Sequence, residues 1–155
     1  MNPRDFITCL MSQLTHAMEH EMTSTAKELN LTLLQLAALA ELNHDGTLST
    51  ADLARLTFVT PQNMSLTVSK LEAGGFLLRK PHPTNARINR LLLTPAGLKV
   101  LRKAFVRAVA IERQMFAGLS LKEKNELRAQ LRRCLAGVKN PRVKKVPRRG
   151  TKILR

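Results

Sequence analysis

Apolar residues in this chain recur mainly at the three- and four-residue spacing that lines one stripe of a helix. From about Pro3 to Leu29 the stripe is Phe6, Leu10, Leu14, Ala17 and Met18, with polar residues such as Gln13, Glu19 and Glu21 on the other faces. A second helix, LTLLQLAALAELN, is capped by Asn30 or Thr32. Its Leu33, Leu36, Ala37, Ala40 and Leu42 leave little room for a polar face, so it is expected to be buried, and HDG at 44–46 ends it in a turn. Ser49 and Asp52 form a capping box with a shortened acid, opening a short helix through Leu53, Ala54 and Leu56.

After the connection Phe58, Val59, Thr60, the cap Thr60 and the N–H-free Pro61 start another helix. Met64, Val68 and Leu71 share one face of it, and Gln62, Asn63, Ser65, Leu66 and Ser69 fall on the others. Gly74 and Gly75 stop this helix, and Phe76 to Leu78 read as a strand. PHPTNAR at 81–87 holds too many turn formers for regular structure, and Leu91 to Leu93 read as the returning strand of a hairpin with a long basic tip. Thr94 and Pro95 repeat the cap-then-proline start for a long helix striped by Leu98, Leu101, Phe105, Ala108 and Val109. Gly118 breaks it, and Ser120 to Glu123 box the start of a last helix carrying Leu127, Leu131, Cys134 and Leu135, closed by Gly137. The expected fold is mainly α with a small β-hairpin.

Charge narrows the class of partner. The formal charge of +15 attracts polyanions; by itself it leaves DNA, RNA and an anionic membrane surface open, with nucleic acid first. At 155 residues and 44% hydrophobic the chain can bury a core, and with aromatics at 3% that core rests on Leu, Val, Ala and Met. Cys9 and Cys134 lie far apart and form no CxxC pair, which fits a reducing cytoplasm, and no signal peptide or membrane-length apolar run occurs. From Lys139 to Arg155 there are eight Lys or Arg and no acid, a composition expected to be disordered when unbound and suited to phosphate contacts, to nonspecific anchoring or to solubility.

A brace helix, a proline-initiated second helix and a basic hairpin together are the parts of a helix-turn-helix with a wing. Gln62 and Asn63 stand at the end of the second helix that would meet base edges, and their side-chain amides match the donor–acceptor edge of adenine. Ser65 and Ser69 suit bases or phosphates, Lys70 suits phosphate, and Leu66 suits a thymine methyl. Between Ser49 and Thr94 the only acids are Asp52 and Glu72, so no carboxylate cluster for a metal-dependent nuclease exists, and no P-loop, dinucleotide fingerprint or Ser/His/Asp arrangement is present.

These residues resemble the MarR family of winged helix-turn-helix regulators. The likeness runs from LTLLQLAALAEL through LSTADLARLTFVTPQNMSLTVSKLEAGGFLLRK to LLLTPAGLKVL, about residues 5 to 136. It is most specific at Leu71, Glu72, Gly75, Pro83, Arg87, Leu93, Thr94 and Gly97. The resemblance implies a minor-groove arginine at the wing tip, Arg87; among the other wing arginines, Arg90 or Arg79 suits phosphate. Where many members carry an acid two places before that arginine, this chain has Asn85.

The resemblance further implies a homodimer held by the first, fifth and sixth helices, binding a pseudo-palindromic site on double-stranded DNA. The apolar stripes of the terminal helices agree, since a domain this small cannot cover them alone. The expected organisation is a dimerisation region at 1–30 and 95–137, a winged helix-turn-helix domain at 31–94 and a basic tail at 138–155. Family members often respond to aromatic acids or phenols, which makes His16 and His20, four apart on the first helix, candidates for a small-molecule effector or, less readily, a metal. Cys9 lies where peroxide-sensing relatives hold a reactive cysteine, but the tyrosines used there are missing, and both thiols are expected to be packed and quiet. No cofactor and no membrane partner is expected. The alternatives to a ligand-released repressor are an architectural nucleic-acid protein and a redox- or metal-sensing regulator.

Overall fold

The computed structural model describes residues 2–45, 48–82 and 85–138, with backbone alone at positions 3, 82 and 85–88. The wing tip at Pro83, the turn residue Gly46 and the basic tail from Lys139 lie outside the described residues. Six helices and one hairpin follow in order: α1 (Ile7–Glu28) after a 3-10 turn at Pro3–Asp5, α2 (Leu33–His44), α3 (Thr50–Leu56), α4 (Pro61–Ala73), β1 (Leu77–His82), β2 (Asn85–Leu93), α5 (Pro95–Met115) and α6 (Leu121–Gly137). Among the described residues no helix is long and apolar enough to cross a membrane.

Local chemistry accounts for the boundaries. Complete capping boxes open α2 (Thr32 with Gln35), α3 (Ser49 with Asp52) and α6 (Ser120 with Glu123). Threonine caps followed by proline open α4 and α5. Three helices end in the same way, with a residue in the left-handed region followed by an amide that reaches back to a carbonyl five residues earlier. Leu31 donates to Ala26 O at 2.9 Å beyond Asn30, Val59 to Ala54 O at 3.0 Å beyond Phe58, and Phe76 to Leu71 O at 2.9 Å beyond Gly75.

The core gathers the end of α1, helices α2 to α4, the base of the hairpin and the start of α5. Leu39, Leu53, Met64, Val68, Leu71, Leu77 and Leu91 are fully buried there. Helix α2 turns Leu36, Ala38, Leu39, Leu42 and Asn43 inward while Ala40 is exposed, a different choice from the expected stripe. A helix apolar on nearly every side does not encode its own orientation, and its neighbours choose it.

The strands β1 and β2 pair antiparallel from Leu77↔Leu93 to Pro81↔Asn89, with a register shift between Pro81 and His82. They are longer than the expected Phe76–Leu78 and Leu91–Leu93 because a two-stranded sheet consists only of edges, where proline's missing N–H can face away from the partner strand. Leu48 adds one more rung, its carbonyl accepting from Leu91 N at 3.1 Å.

Thr94 joins hairpin to helix. Its amide donates to Phe76 O at 3.1 Å, its hydroxyl donates to Gly75 O at 2.6 Å and accepts from Gly97 N at 3.1 Å. Gly97 lies so close to this turn that a Cβ there would stand 2.1 Å from the Phe76 carbonyl oxygen.

Helix α5 continues past the core along α1, tied by Arg107 to Glu28 at 3.2 Å, and α6 is tied back to it by Arg128 to Glu112 at 3.2 Å. Neither the first half of α1 nor any part of α6 is buried. Cys9 and Cys134, expected to be packed, are consequently exposed in the single chain.

Candidate nucleic-acid interface

Helix α4 rests on α2, α3 and β1 through Met64, Thr67, Val68 and Leu71, all buried. Thr67 had not been expected inside; its hydroxyl is satisfied by donating to Asn63 O at 2.9 Å, so a helix-internal bond makes the burial affordable. With that face committed, Gln62, Asn63, Ser65, Leu66, Ser69 and Lys70 are all exposed. Thr60 Oγ1 accepts the backbone N–H of Asn63 at 3.2 Å, which fixes the first turn without using the Asn63 side chain. The side chains of Gln62, Asn63, Ser65 and Lys70 have no protein partner among the described residues, so their donors and acceptors are available to a ligand.

The brace helix α3 is held at its start by Asp52, which accepts from the Ser49 amide at 3.1 Å and hydroxyl at 2.7 Å and pairs with Arg55. Burial by itself would raise the Asp52 carboxyl, but the two Ser49 bonds and Arg55 outweigh it and hold the group below the usual carboxylate range. At Glu123 the Ser120 hydroxyl and amide lower the carboxyl in the same manner.

In the wing Arg79 has protein partners that the sequence did not announce. Its Nε donates to Glu72 Oε2 at 2.9 Å and its Nη2 to Ser69 Oγ at 3.2 Å. One guanidinium thus bridges β1 to the last turns of α4, and it engages Ser69 and Glu72 together. The only sequence signal for this bond was the acid at 72 facing a basic strand, and the seven-residue separation spans a turn whose geometry the pattern does not specify.

Arg90 is half-buried, and its Nε is buried without a partner among the described residues. Asn85 and Arg87 belong to β2, and their side chains lie outside the described residues.

His16 and His20 are both exposed on α1, and His16 Nδ1 stands 3.9 Å from Glu19 Oε2. Among the described residues no group of three or more His, Cys, Asp or Glu could hold a metal ion.

A short brace helix, a second helix with an exposed polar face and a β-hairpin wing tied to its last turns define a winged helix-turn-helix protein. The MarR family model matches residues 29–88, and the chain belongs to that family of transcriptional regulators. The HTH-type transcriptional repressor Rv2887 of Mycobacterium tuberculosis is 28% identical over 122 residues, covering 79% of this chain and 88% of that protein. The structure of Rv2887 in complex with salicylic acid aligns with a TM-score of 0.70 at 25% identity, over 86% of this chain and 99% of the other. Its complex with DNA aligns at 0.69 and 26% identity, over 83% and 96%. A probable transcriptional regulator from Pseudomonas aeruginosa is 30% identical with a TM-score of 0.69, over 84% and 97%.

Proposed function

We propose that this protein is a homodimeric repressor that binds a pseudo-palindromic operator in double-stranded DNA and is released by a small aromatic or anionic ligand. The observation that carries the reading is the outer face of α4, where Gln62, Asn63 and Ser65 present unused amide and hydroxyl groups at the end of a rigidly seated helix. Such groups read base edges, each good bidentate pair discriminating by about 1–3 kcal/mol. Arg87 at the wing reads the minor groove, Asn85 beside it, and Lys70, Arg90 and the basic tail contribute phosphate contacts that set affinity more than sequence choice.

The dimerisation region comprises 1–30 and 95–137, and the DNA-binding domain 31–94. Support comes from the apolar side chains that α1 leaves exposed, Phe6, Ile7, Leu10, Met11, Leu14 and Met18, and from Leu131 and Leu135 on α6. A lone chain would hold this surface in water, whereas a two-fold partner offers the same surface in return. The effector acts between the two regions, near His16 and His20, as salicylic acid bound to Rv2887 makes reasonable for an aromatic acid. It works through its difference in affinity for the DNA-competent and released dimers, since equal affinity for both would shift nothing. The protein acts in the cytoplasm, where bacterial DNA is.

The test is binding of the intact chain to duplexes enriched from genomic DNA and to random duplexes, at two salt concentrations. The expected result is a preferred sequence with steeply salt-dependent affinity. Equal affinity for every sequence with one common salt dependence would establish the architectural alternative, which the +15 charge favours. Asn63→Ala and Arg87→Ala are expected to weaken operator binding and leave the dimer intact; dissociation of the dimer would refute their assignment. Thiol alkylation or chelation is expected to leave operator release unchanged, and an effect of either would favour the redox or metal reading.

A further inference from the structure

The three helix ends built alike place different residues in the left-handed position: Asn30 at φ 55°, Gly75 at φ 72° and Phe58 at φ 59°. Glycine has no Cβ to clash there and asparagine tolerates it, but for a bulky side chain the conformation is an outlier. Packing is the ordinary compensation, and Phe58 receives little of it, because the residue is 60% exposed. The residue is therefore poorly matched both to the backbone it occupies and to the water it faces.

Its position gives the mismatch a use. Phe58 lies two residues ahead of Thr60, the cap of α4, so the ring stands at the end of the helix that carries Gln62 and Asn63. Leu66, on the exposed side of the same helix, is 61% exposed.

We infer that Phe58 is a DNA-contact residue, its ring covering the apolar edge of the duplex, a thymine methyl or a deoxyribose face, where α4 enters the major groove. This rests on the regulator reading above. Continuity with the polar face of α4, and the +15 charge that draws a duplex to it, favour DNA over a second copy of the chain, whose exposed apolar partners lie on α1 and α6. Both apolar surfaces leave water when the duplex docks, which adds affinity that salt does not screen. The backbone strain is then retained for binding rather than for folding.

Phe58→Gly and Phe58→Asn both suit the backbone and both remove the ring. Thermal unfolding, dimer size and affinity for the enriched duplex at two salt concentrations are read for each. The expected result is a Tm equal to or above that of the parent, an unchanged dimer, and affinity about tenfold weaker with the same salt slope, as losing one covered apolar group per protomer implies. Duplexes with deoxyuridine in place of thymine separate the two edges: a methyl contact by Phe58 makes the parent more sensitive than the variants, and a sugar contact leaves parent and variants equally sensitive, Leu66 being common to all of them. Variants that bind like the parent, or that lose affinity only along with a lowered Tm or a dissociated dimer, overturn the inference. A parent chain with no preferred sequence would instead overturn the regulator reading itself.

Discussion

Glu72→Gln cuts the ion pair between the recognition helix and the wing without removing a positive charge, so it separates two roles for Arg79 by sign. The pair is 2.9 Å long, with side chains 30% and 41% exposed, and ion pairs so placed contribute about 0.5–1 kcal/mol. If Arg79 positions the wing, two wings per dimer lose about 1–2 kcal/mol, and operator affinity falls roughly 5- to 30-fold. If Arg79 is a phosphate ligand held back by Glu72, the substitution liberates it, affinity rises, and the salt slope steepens by about one per protomer. Removing an acid near a polyanion also favours binding, so a fall in affinity must overcome that effect. Fluorescence anisotropy over a salt series, extrapolated to high salt where counterion release no longer contributes, isolates the positioning term. Tighter binding with a steeper slope would refute the clamp.

Gly97→Ala should destabilise the protein by about 1–3 kcal/mol, the range for an overpacked site, because the added methyl meets the Phe76 carbonyl oxygen at 2.1 Å and that oxygen is backbone; denaturant unfolding with an unchanged midpoint would refute it. Burial raises the Glu41 carboxyl, only partly countered by His44, so its folded pKa lies above its unfolded value. Its neutral form is favoured on folding, and the stability this adds is full below the unfolded pKa and lost as pH rises through the folded one. Glu41→Gln should therefore raise Tm at neutral pH and change little in acid, and equal shifts at both pH values would contradict the assignment. Asp52 is the opposite case, with a depressed folded pKa. Its contribution is present above the unfolded pKa and lost as pH falls through the folded one, so Asp52→Asn should destabilise at neutral pH and converge with the parent in acid. A gap that persists in acid would indicate a cause other than charge.

Most boundaries were legible in the residues because capping is local: Ser49, Thr60, Thr94 and Ser120 each act within three residues of themselves. The polar identity of the α4 face was legible as well, since Met64, Val68 and Leu71 committed the opposite face to the core. Facing was harder wherever periodicity was weak, and α2 buried Leu39 and exposed Ala40 because α4, α5 and β2 surround it. Arg79 has the charge of a phosphate ligand, and only the approach of β1 to the last turns of α4 brings it within hydrogen-bond reach of Ser69 and Glu72. Nothing in the residue pattern marks Phe58, whose positive φ of 59° is a property of the folded backbone.

What the amino-acid order determined alone was therefore what neighbours in the chain can settle: where helices start and stop, which stripes are apolar, and a charge that selects polyanions. Tertiary structure decided which polar groups were consumed by one another and which were left for a ligand. That depends on distances between residues separated by turns, such as Glu72 and Arg79 or Thr94 and Gly75. Backbone torsions in those turns set such distances, and the one-dimensional pattern of polarity carries little information about them.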